Sequence, residues 1–132
     1  MGDRPQPIRD PHAALVGARE LIADPERWTR SAPARRWKAP QMHEPAAWVP
    51  THATDPYASR WCAAGALCAV SQMRSSPSGI EFLEAASRQL FGVGIGRAND
   101  DTPSTHTAML RCYALAITLA ETATAGMRAS AP

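Results

Sequence analysis

The chain has 132 residues, the length of one domain, and its net charge of +2 is too small to require nucleic acid or a membrane surface as a partner. Three cysteines cannot all pair with one another, and no apolar run approaches the ~20 residues that cross a bilayer. These features predict a reduced, cytoplasmic protein with free thiols and no membrane contact.

Alanine supplies much of the apolar composition, whereas β-branched residues are sparse. Such a composition favours close helix packing and disfavours strands. We therefore expect an all-α fold, a single small domain of about four helices over residues 10–124. A long proline-rich arm would lie between the first and second main helices, with flexible tails over residues 1–9 and 125–132. The alternative is a mixed topology with a short hairpin in this arm.

The first helix should begin after Asp10, whose side chain can cap it, because Pro11 suits the first turn and apolar residues then recur at intervals of three and four. It should end near Asp24-Pro25, since proline disfavours helical backbone in the residue before it. Pro25 could then open a further short turn capped by Asp24.

The chain changes character over residues 31–56. Prolines stand at positions 33, 40, 45, 50 and 56, and aliphatic residues are almost absent. This composition predicts an extended, irregular arm. So long an arm is either functional, held in place by Trp37 and Trp48, or partly disordered.

Asp55 predicts the start of the second helix, because a capping residue is followed by proline, and this helix would run to about Met73. Residues 75–77 then break the pattern. Ser78 and Glu81 form a capping-box pattern, which predicts a third helix through about position 90.

Alternating glycines over residues 92–96 predict a flexible turn rather than a phosphate-binding loop, because they follow a helix instead of a strand. The last helix should be capped at position 101 or 102 and should extend to about Ala123. Beyond it, residues 125–132 should fray.

Cys62 is the candidate nucleophile, since it falls early in the predicted second helix. The positive end of the helix dipole and the nearby Arg60 could lower the pKa of its thiol. The base would be His106, or His43 or His52 in the arm, if the fold brings one within hydrogen-bonding reach. The alternative, a small buried side chain between helices, is the commoner fate of a free cysteine.

A basic stretch runs from Arg27 to Lys38 without an acidic residue. Trp28 and Trp37 are interleaved with it, and basic side chains beside stacking aromatics are typical of single-stranded nucleic-acid binding. Its candidate binding residues are Arg30, Arg35, Arg36 and Lys38. The alternative, a solvated loop whose tryptophans fold back on the core, is favoured because the rest of the chain neutralises this patch.

Three segments carry a family resemblance: residues 18–28, residues 60–67 with Trp-Cys-Ala-Ala-Gly-Ala-Leu, and Asn99-Asp100 ahead of an alanine-rich helix. In this order they resemble a small family of actinobacterial and phage proteins, domain of unknown function 6197. The resemblance implies no activity, cofactor or partner. It does imply one shared neighbourhood of Trp28, Trp61, Cys62, Gly65, Asn99 and Asp100.

The preferred hypothesis is a noncatalytic binding or regulatory module for an unidentified protein or small molecule. It would present either the neighbourhood of Trp28, Trp61, Asn99 and Asp100, as its binding residues, or the proline-rich arm. The alternatives are a cysteine-dependent enzyme, in which Asn99 or Asp100 could orient the histidine, and a nucleic-acid accessory protein, which is not favoured. No Cys-x-x-Cys or His-x-x-x-His spacing occurs, so neither a metal nor another cofactor is expected. The sequence leaves a homo-oligomer open.

Overall fold

The computed structural model describes residues 6–101 and 106–130 and combines helices with a three-stranded antiparallel sheet. The helices in these ranges are α1 (Pro11–Leu21), α2 (Ala63–Ser71), α3 (Ile80–Phe91), α4 (Ile95–Asp100) and α5 (His106–Ser130). The strands are β1 (Ala34–Lys38), β2 (Ala47–Thr51) and β3 (Arg60–Trp61). The predicted all-α class is therefore wrong, and the fold is mixed α and β. None of the described helices is both long and apolar enough to cross a membrane.

The sheet forms largely within the stretch that proline content predicts to be an irregular arm. β1 lies at its centre and is antiparallel to both β2 and β3. Pro40 and Pro45 fall between β1 and β2, and Pro50 lies on β2, an edge strand. Proline is compatible with a sheet at such positions, because no neighbouring strand needs the missing N–H. Proline content alone is therefore a poor guide in this segment.

The first helix begins as predicted. Asp10 caps α1 by accepting a backbone hydrogen bond at 2.9 Å, and Pro11 is the first helical residue. The helix ends at Leu21, and a short 3-10 turn (Pro25–Arg27) follows, capped by Asp24. Capping and proline signals act within a few residues, which is why they correctly identify the start of α1 and the 3-10 turn that follows it.

The second helix begins later than predicted. Asp55, expected as its cap, accepts hydrogen bonds from the Thr51 hydroxyl at 2.5 Å and the Tyr57 backbone N at 2.9 Å, and so closes a turn. These two bonds hold the pKa of Asp55 below its ordinary value. β3 then intervenes, and α2 starts only at Ala63.

The third helix has the predicted extent but not the predicted cap. Gly79 precedes α3 with a φ of 87°, and no side chain caps the helix, so the capping box of Ser78 and Glu81 does not form. The helix ends at Phe91, followed by Gly92 with a φ of 75°. A positive φ favours glycine, and glycine therefore marks both ends of this helix.

The second half of the chain is more helical than predicted. Positions 95 and 96 of the expected glycine turn begin α4, and α5 continues beyond the predicted end at Ala123. The candidate cap Thr102 lies outside the described residues, as do positions 1–5 and 131–132 of the predicted tails.

The core lies among the helices, where α5 packs against α1 and α3 and α1 also packs against α2. Alanine fills much of it, around larger fully buried residues such as Leu15, Leu67 and Met109. Tyr113 on α5 is also fully buried, and its hydroxyl donates a hydrogen bond to the backbone carbonyl of Ala63. This bond holds the start of α2 against α5.

Gly65 marks a close approach between the sheet and the helices. A Cβ at this position would lie 2.0 Å from the Pro33 carbonyl oxygen. The same carbonyl accepts a hydrogen bond from the Cys62 backbone N at 3.1 Å. The chain entering β1 therefore lies directly on the first turn of α2, and only glycine leaves room for it.

Gly65→Ala should lower the free energy of unfolding by about 1–3 kcal/mol, because the added methyl group meets backbone that cannot move aside freely. The matched control is Gly96→Ala in α4, where a Cβ would meet nothing within 4 Å. That change should raise stability by roughly 0.5–1 kcal/mol, since alanine loses less entropy in a helix. Denaturant unfolding measures both, and equal effects would contradict the close approach at Gly65.

Candidate functional site

The side chain of Asn99 joins separate segments of the chain. Its Oδ1 accepts hydrogen bonds from the Trp28 indole Nε1 at 2.8 Å and from the Ala63 backbone N at 3.1 Å. Its Nδ2 donates to the Thr29 carbonyl at 3.1 Å and to Asp100 Oδ1 at 3.0 Å. Asn99 is 1% exposed, so these bonds fully satisfy a buried amide. We call this arrangement the Asn99 hub.

Of the other predicted binding residues, Asp100 belongs to the same hub and Trp61 lies beside it. Asp100 accepts a hydrogen bond from the Ser31 backbone N at 2.8 Å. Trp61 pairs with Trp28 in a parallel bridge, and its indole donates to the Ala53 carbonyl at 3.2 Å. The structure thus brings the four predicted binding residues together, but the hydrogen bonds of their side chains are made to other groups of the protein itself.

Cys62 caps α2 instead of lying inside a helix. Its Sγ accepts a hydrogen bond from the Gly65 backbone N at 3.2 Å, and the side chain is half-buried. Burial raises the pKa of Cys62, outweighing the backbone hydrogen bonds from Gly65 and Ala64, and the negative charge of Asp100 adds to the increase. The shift runs opposite to the lowering expected from the helix dipole and Arg60, so the thiolate is disfavoured.

No histidine in the described ranges forms a hydrogen bond with Cys62. His106 Nε2 bonds instead to the Ile22 backbone carbonyl, and its ring lies 5.9 Å from the Trp28 ring, centroid to centroid. His43 is exposed, and His52 Nδ1 lies 3.1 Å from the Thr54 hydroxyl. A nucleophile and base pair is therefore not assembled in this conformation.

The described ranges contain no group of three His, Cys, Asp or Glu side chains that could hold a metal ion. Two adjoining open grooves of about 550 and 610 Å³ lie between the start of α1 and the C-terminal half of α5, and the larger one also meets the start of α3. An exposed pair of His12 and Glu121, 3.3 Å apart, lies between these two helices. Neither groove includes Cys62 or a residue of the Asn99 hub.

The sheet presents a distinct side-chain surface. Residues directly opposite one another in antiparallel strands share a side of the sheet, as do alternate residues along a strand. Arg35 lies opposite both Pro50 and Arg60, and Trp37 lies opposite Trp48. These five residues therefore occupy one side, which we call the arginine–tryptophan face.

The side chains of this face stack on one another. The Arg60 guanidinium carbon lies 3.9 Å from the centroid of the Trp48 ring, so the Arg60 side chain reaches across β1 from one edge strand to the other. Trp48 in turn contacts Trp37 edge to face, with 5.4 Å between ring centroids and an interplanar angle of 66°. Arg60 Nε is buried, and it has no hydrogen-bond partner in the described part of the chain. Trp37 is 52% exposed, so the outer ring of this stack meets solvent.

Arg35 is held in place by the segment that precedes β1. Arg35 Nε donates to the Thr29 hydroxyl at 2.9 Å, and its Nη2 donates to the Arg30 carbonyl at 3.2 Å. The Arg30 guanidinium carbon lies 5.2 Å from the centroid of the Trp28 ring. These contacts connect the face to the Asn99 hub through Trp28 and Thr29.

The sequence-predicted basic patch is divided between the two sides of the sheet. Arg36 and Lys38 alternate with the residues of the face and therefore lie on the opposite side. Arg36 Nε is 4.0 Å from Asp55, and Lys38 Nζ is 2.8 Å from Glu44. These acidic residues thus pair with cations of the opposite side rather than with the arginine–tryptophan face.

Trp48 and Arg60 are absent from the sequence-predicted site. Trp48 has a local signal, because Arg35-x-Trp37 and Trp48-x-Pro50 both alternate with period two beside proline-containing turns. Arg60 has none, since its position depends on the pairing of a two-residue strand with β1.

Comparison with known proteins does not assign the chain to a family or a function. No protein-family model matches it, and neither a curated protein nor a solved structure does. The resemblance to domain of unknown function 6197 therefore stays a prediction, and function has to be inferred from the residues themselves.

Asn99→Ala should lower the free energy of unfolding by about 2–4 kcal/mol, because the indole N–H of Trp28 and the backbone N–H of Ala63 lose their acceptor. The matched control is Asp101→Ala, which removes an exposed carboxylate 3.6 Å from Arg97 and should change stability by less than about 0.5 kcal/mol. Denaturant unfolding measures both, and similar losses would contradict the hub.

Alkylation of Cys62 by iodoacetamide near neutral pH should be slower in the native protein than in the urea-unfolded chain, because burial raises the pKa of this thiol. Cys112, whose pKa burial raises to about 12, should also react more slowly than in the unfolded chain. Mass spectrometry of tryptic peptides gives each rate. Faster reaction of native Cys62 would instead support the nucleophile hypothesis.

Proposed function

We propose that the protein is a noncatalytic binding module and that the arginine–tryptophan face is its binding surface. The observation that carries the proposal is the fixed stack of Arg60, Trp48 and Trp37, which ends in a half-exposed indole. Large exposed aromatic surface is unfavourable in water. An indole that is held rigidly yet left exposed is well suited to a ligand that covers it.

Preorganisation supports the same conclusion. Trp37 and Trp48 lie on paired strands, and the bonds of Arg35 to Thr29 and Arg30 fix the adjacent guanidinium. Side chains that are already ordered lose little entropy when a ligand binds. Tryptophan and arginine are also the residue types that most often dominate binding energy at interfaces.

The Asn99 hub serves this module as its structural support. The side-chain amide of Asn99 bonds within the protein, and so does the indole N–H of Trp61. A ligand would have to break these bonds to use the same groups. Binding is therefore assigned to the sheet rather than to Trp28, Trp61, Asn99 and Asp100.

The cysteine-dependent alternative has weaker support. The raised pKa of Cys62 opposes formation of a thiolate, and His106 is bonded to Ile22.

Cys62, Cys68 and Cys112 are all free, which supports a reducing compartment such as the cytoplasm.

Small planar molecules test the binding surface. In NMR spectra of the protein, indole, adenosine or phenyl glucoside should shift the side-chain N–H signals of Trp37 and Trp48. The signals of Trp28 and Trp61 should stay in place, since both indole groups donate hydrogen bonds inside the protein.

Trp37→Ala should abolish the shift at Trp48, because a probe that stacks on Trp37 loses its platform. The matched control is Tyr57→Ala, which removes a 76% exposed aromatic outside the face and should leave the response unchanged. The absence of any shift, or shifts confined to Trp28 and Trp61, would refute the proposal.

A further inference from the structure

We infer that the ligand of the arginine–tryptophan face is single-stranded nucleic acid, with a base stacked on Trp37 and the flanking phosphates bound by Arg60 and Arg35. This inference rests on the proposed function, because it names the ligand class of the same surface. It differs from the sequence-based version, in which Arg36 and Lys38 carry the binding.

Stacking is the first requirement, and Trp37 meets it. The residue is 52% exposed, and its ring is held edge to face against Trp48. Every nucleobase has a flat face that can stack on such a ring, so binding would tolerate different sequences. Trp48, which is itself covered by the Arg60 guanidinium, supports the platform rather than extending it.

Unpaired positive charge is the second requirement. In the described part of the chain, the Arg60 side chain forms no ion pair, its buried Nε has no hydrogen-bond partner, and its guanidinium stacks on Trp48. A guanidinium that stacks through its face keeps N–H donors along its edge, where they suit a phosphate. Arg35 adds a second cation on the same side, directly opposite Arg60 in the sheet. Its bonds to Thr29 and Arg30 use Nε and Nη2, so Nη1 is the nitrogen that would bind a phosphate.

Charge complementarity favours an anionic ligand. Glu44 and Asp55, the acidic residues that pair with this sheet, bond to Lys38, Arg36 and Thr51 on the opposite side. The cations of the face are therefore not neutralised by these carboxylates. A ligand that supplies both negative charge and flat rings can pair with the arginines of this face and stack on Trp37 at the same time.

The shape of the face favours a single strand over a duplex. Three strands about 4.8 Å apart make a narrow, open sheet surface rather than a projecting helix that would enter a groove. A duplex also keeps its bases stacked on one another, so their faces are closed to Trp37. A single strand exposes them.

Fluorescence anisotropy with labelled oligothymidine and oligouridine tests the inference on the full chain. Binding should be measurable at low salt, and two phosphates neutralised on a single strand predict a slope of log K against log salt of about −1.4. A duplex of the same length should bind at least several-fold more weakly.

Variants separate the two contributions. Trp37→Ala should weaken binding roughly tenfold with little change in the salt slope, since it removes stacking alone. Arg60→Gln should reduce the slope to about −0.7, whereas Arg60→Lys, which keeps the charge, should leave it near the original value. Unchanged far-ultraviolet circular dichroism and thermal unfolding would establish that each variant is folded.

Arg36→Gln is the matched control, because Arg36 lies on the same strand as Trp37 but on the opposite side of the sheet. It should leave affinity within about twofold of the original. An equal loss in Arg36→Gln and Arg60→Gln would show attraction by overall charge and would overturn the inference. Preference for a duplex, or for an acidic aromatic peptide that competes the oligonucleotide off, would also overturn it.

The two proposals can fail separately. If oligonucleotides do not bind while small planar molecules still shift the Trp37 signal, the face is a binding surface for another ligand and the nucleic-acid inference is wrong. If neither the oligonucleotides nor the planar molecules act on Trp37, the proposed function falls as well.

Discussion

The buried amide of Asn99 is the interaction on which the arrangement of the sheet and the helices depends. Its two atoms serve partners from α2, from α4 and from the segment before β1. An amide in a 1% exposed position is costly unless every bond is made, so the three segments have only one satisfactory arrangement. The hub therefore fixes where the sheet lies, and the close contact of Gly65 with Pro33 fixes how near it comes.

Local signals in the sequence predict α1 and the approximate extent of α3, but they place the start of α2 too early and miss α4 and all three strands. Asp10 and Pro11 determine the start of α1 because they act on the adjacent turn. β3 is two residues long, and it exists because Ala34 and Arg35 offer it partners from elsewhere in the chain. Asp55 resembles a helix cap by its type and its neighbour, yet its bonds to Thr51 and Tyr57 make a turn instead. Tertiary pairing decides the first case, whereas in the second Asp55 forms a different set of short-range bonds.

The candidate site, like the fold, can be predicted from the sequence only in part. The family resemblance implies the grouping of Trp28 and Trp61 with Asn99, but the inward hydrogen bonds of the two indoles follow only from the fold. In a strand, moving one residue along the chain changes the side of the sheet. That rule separates Arg35 from Arg36, which a list of basic residues treats as equivalent.

The parallel bridge between Trp28 and Trp61, with the Thr29 backbone N donating to the Trp61 carbonyl at 3.1 Å, brings the two ends of the sheet segment together. A segment that leaves and re-enters a fold at neighbouring points can change in length at little entropic cost. The outer part of the sheet can therefore diverge in evolution, or be exchanged by design, while the helical core keeps its packing.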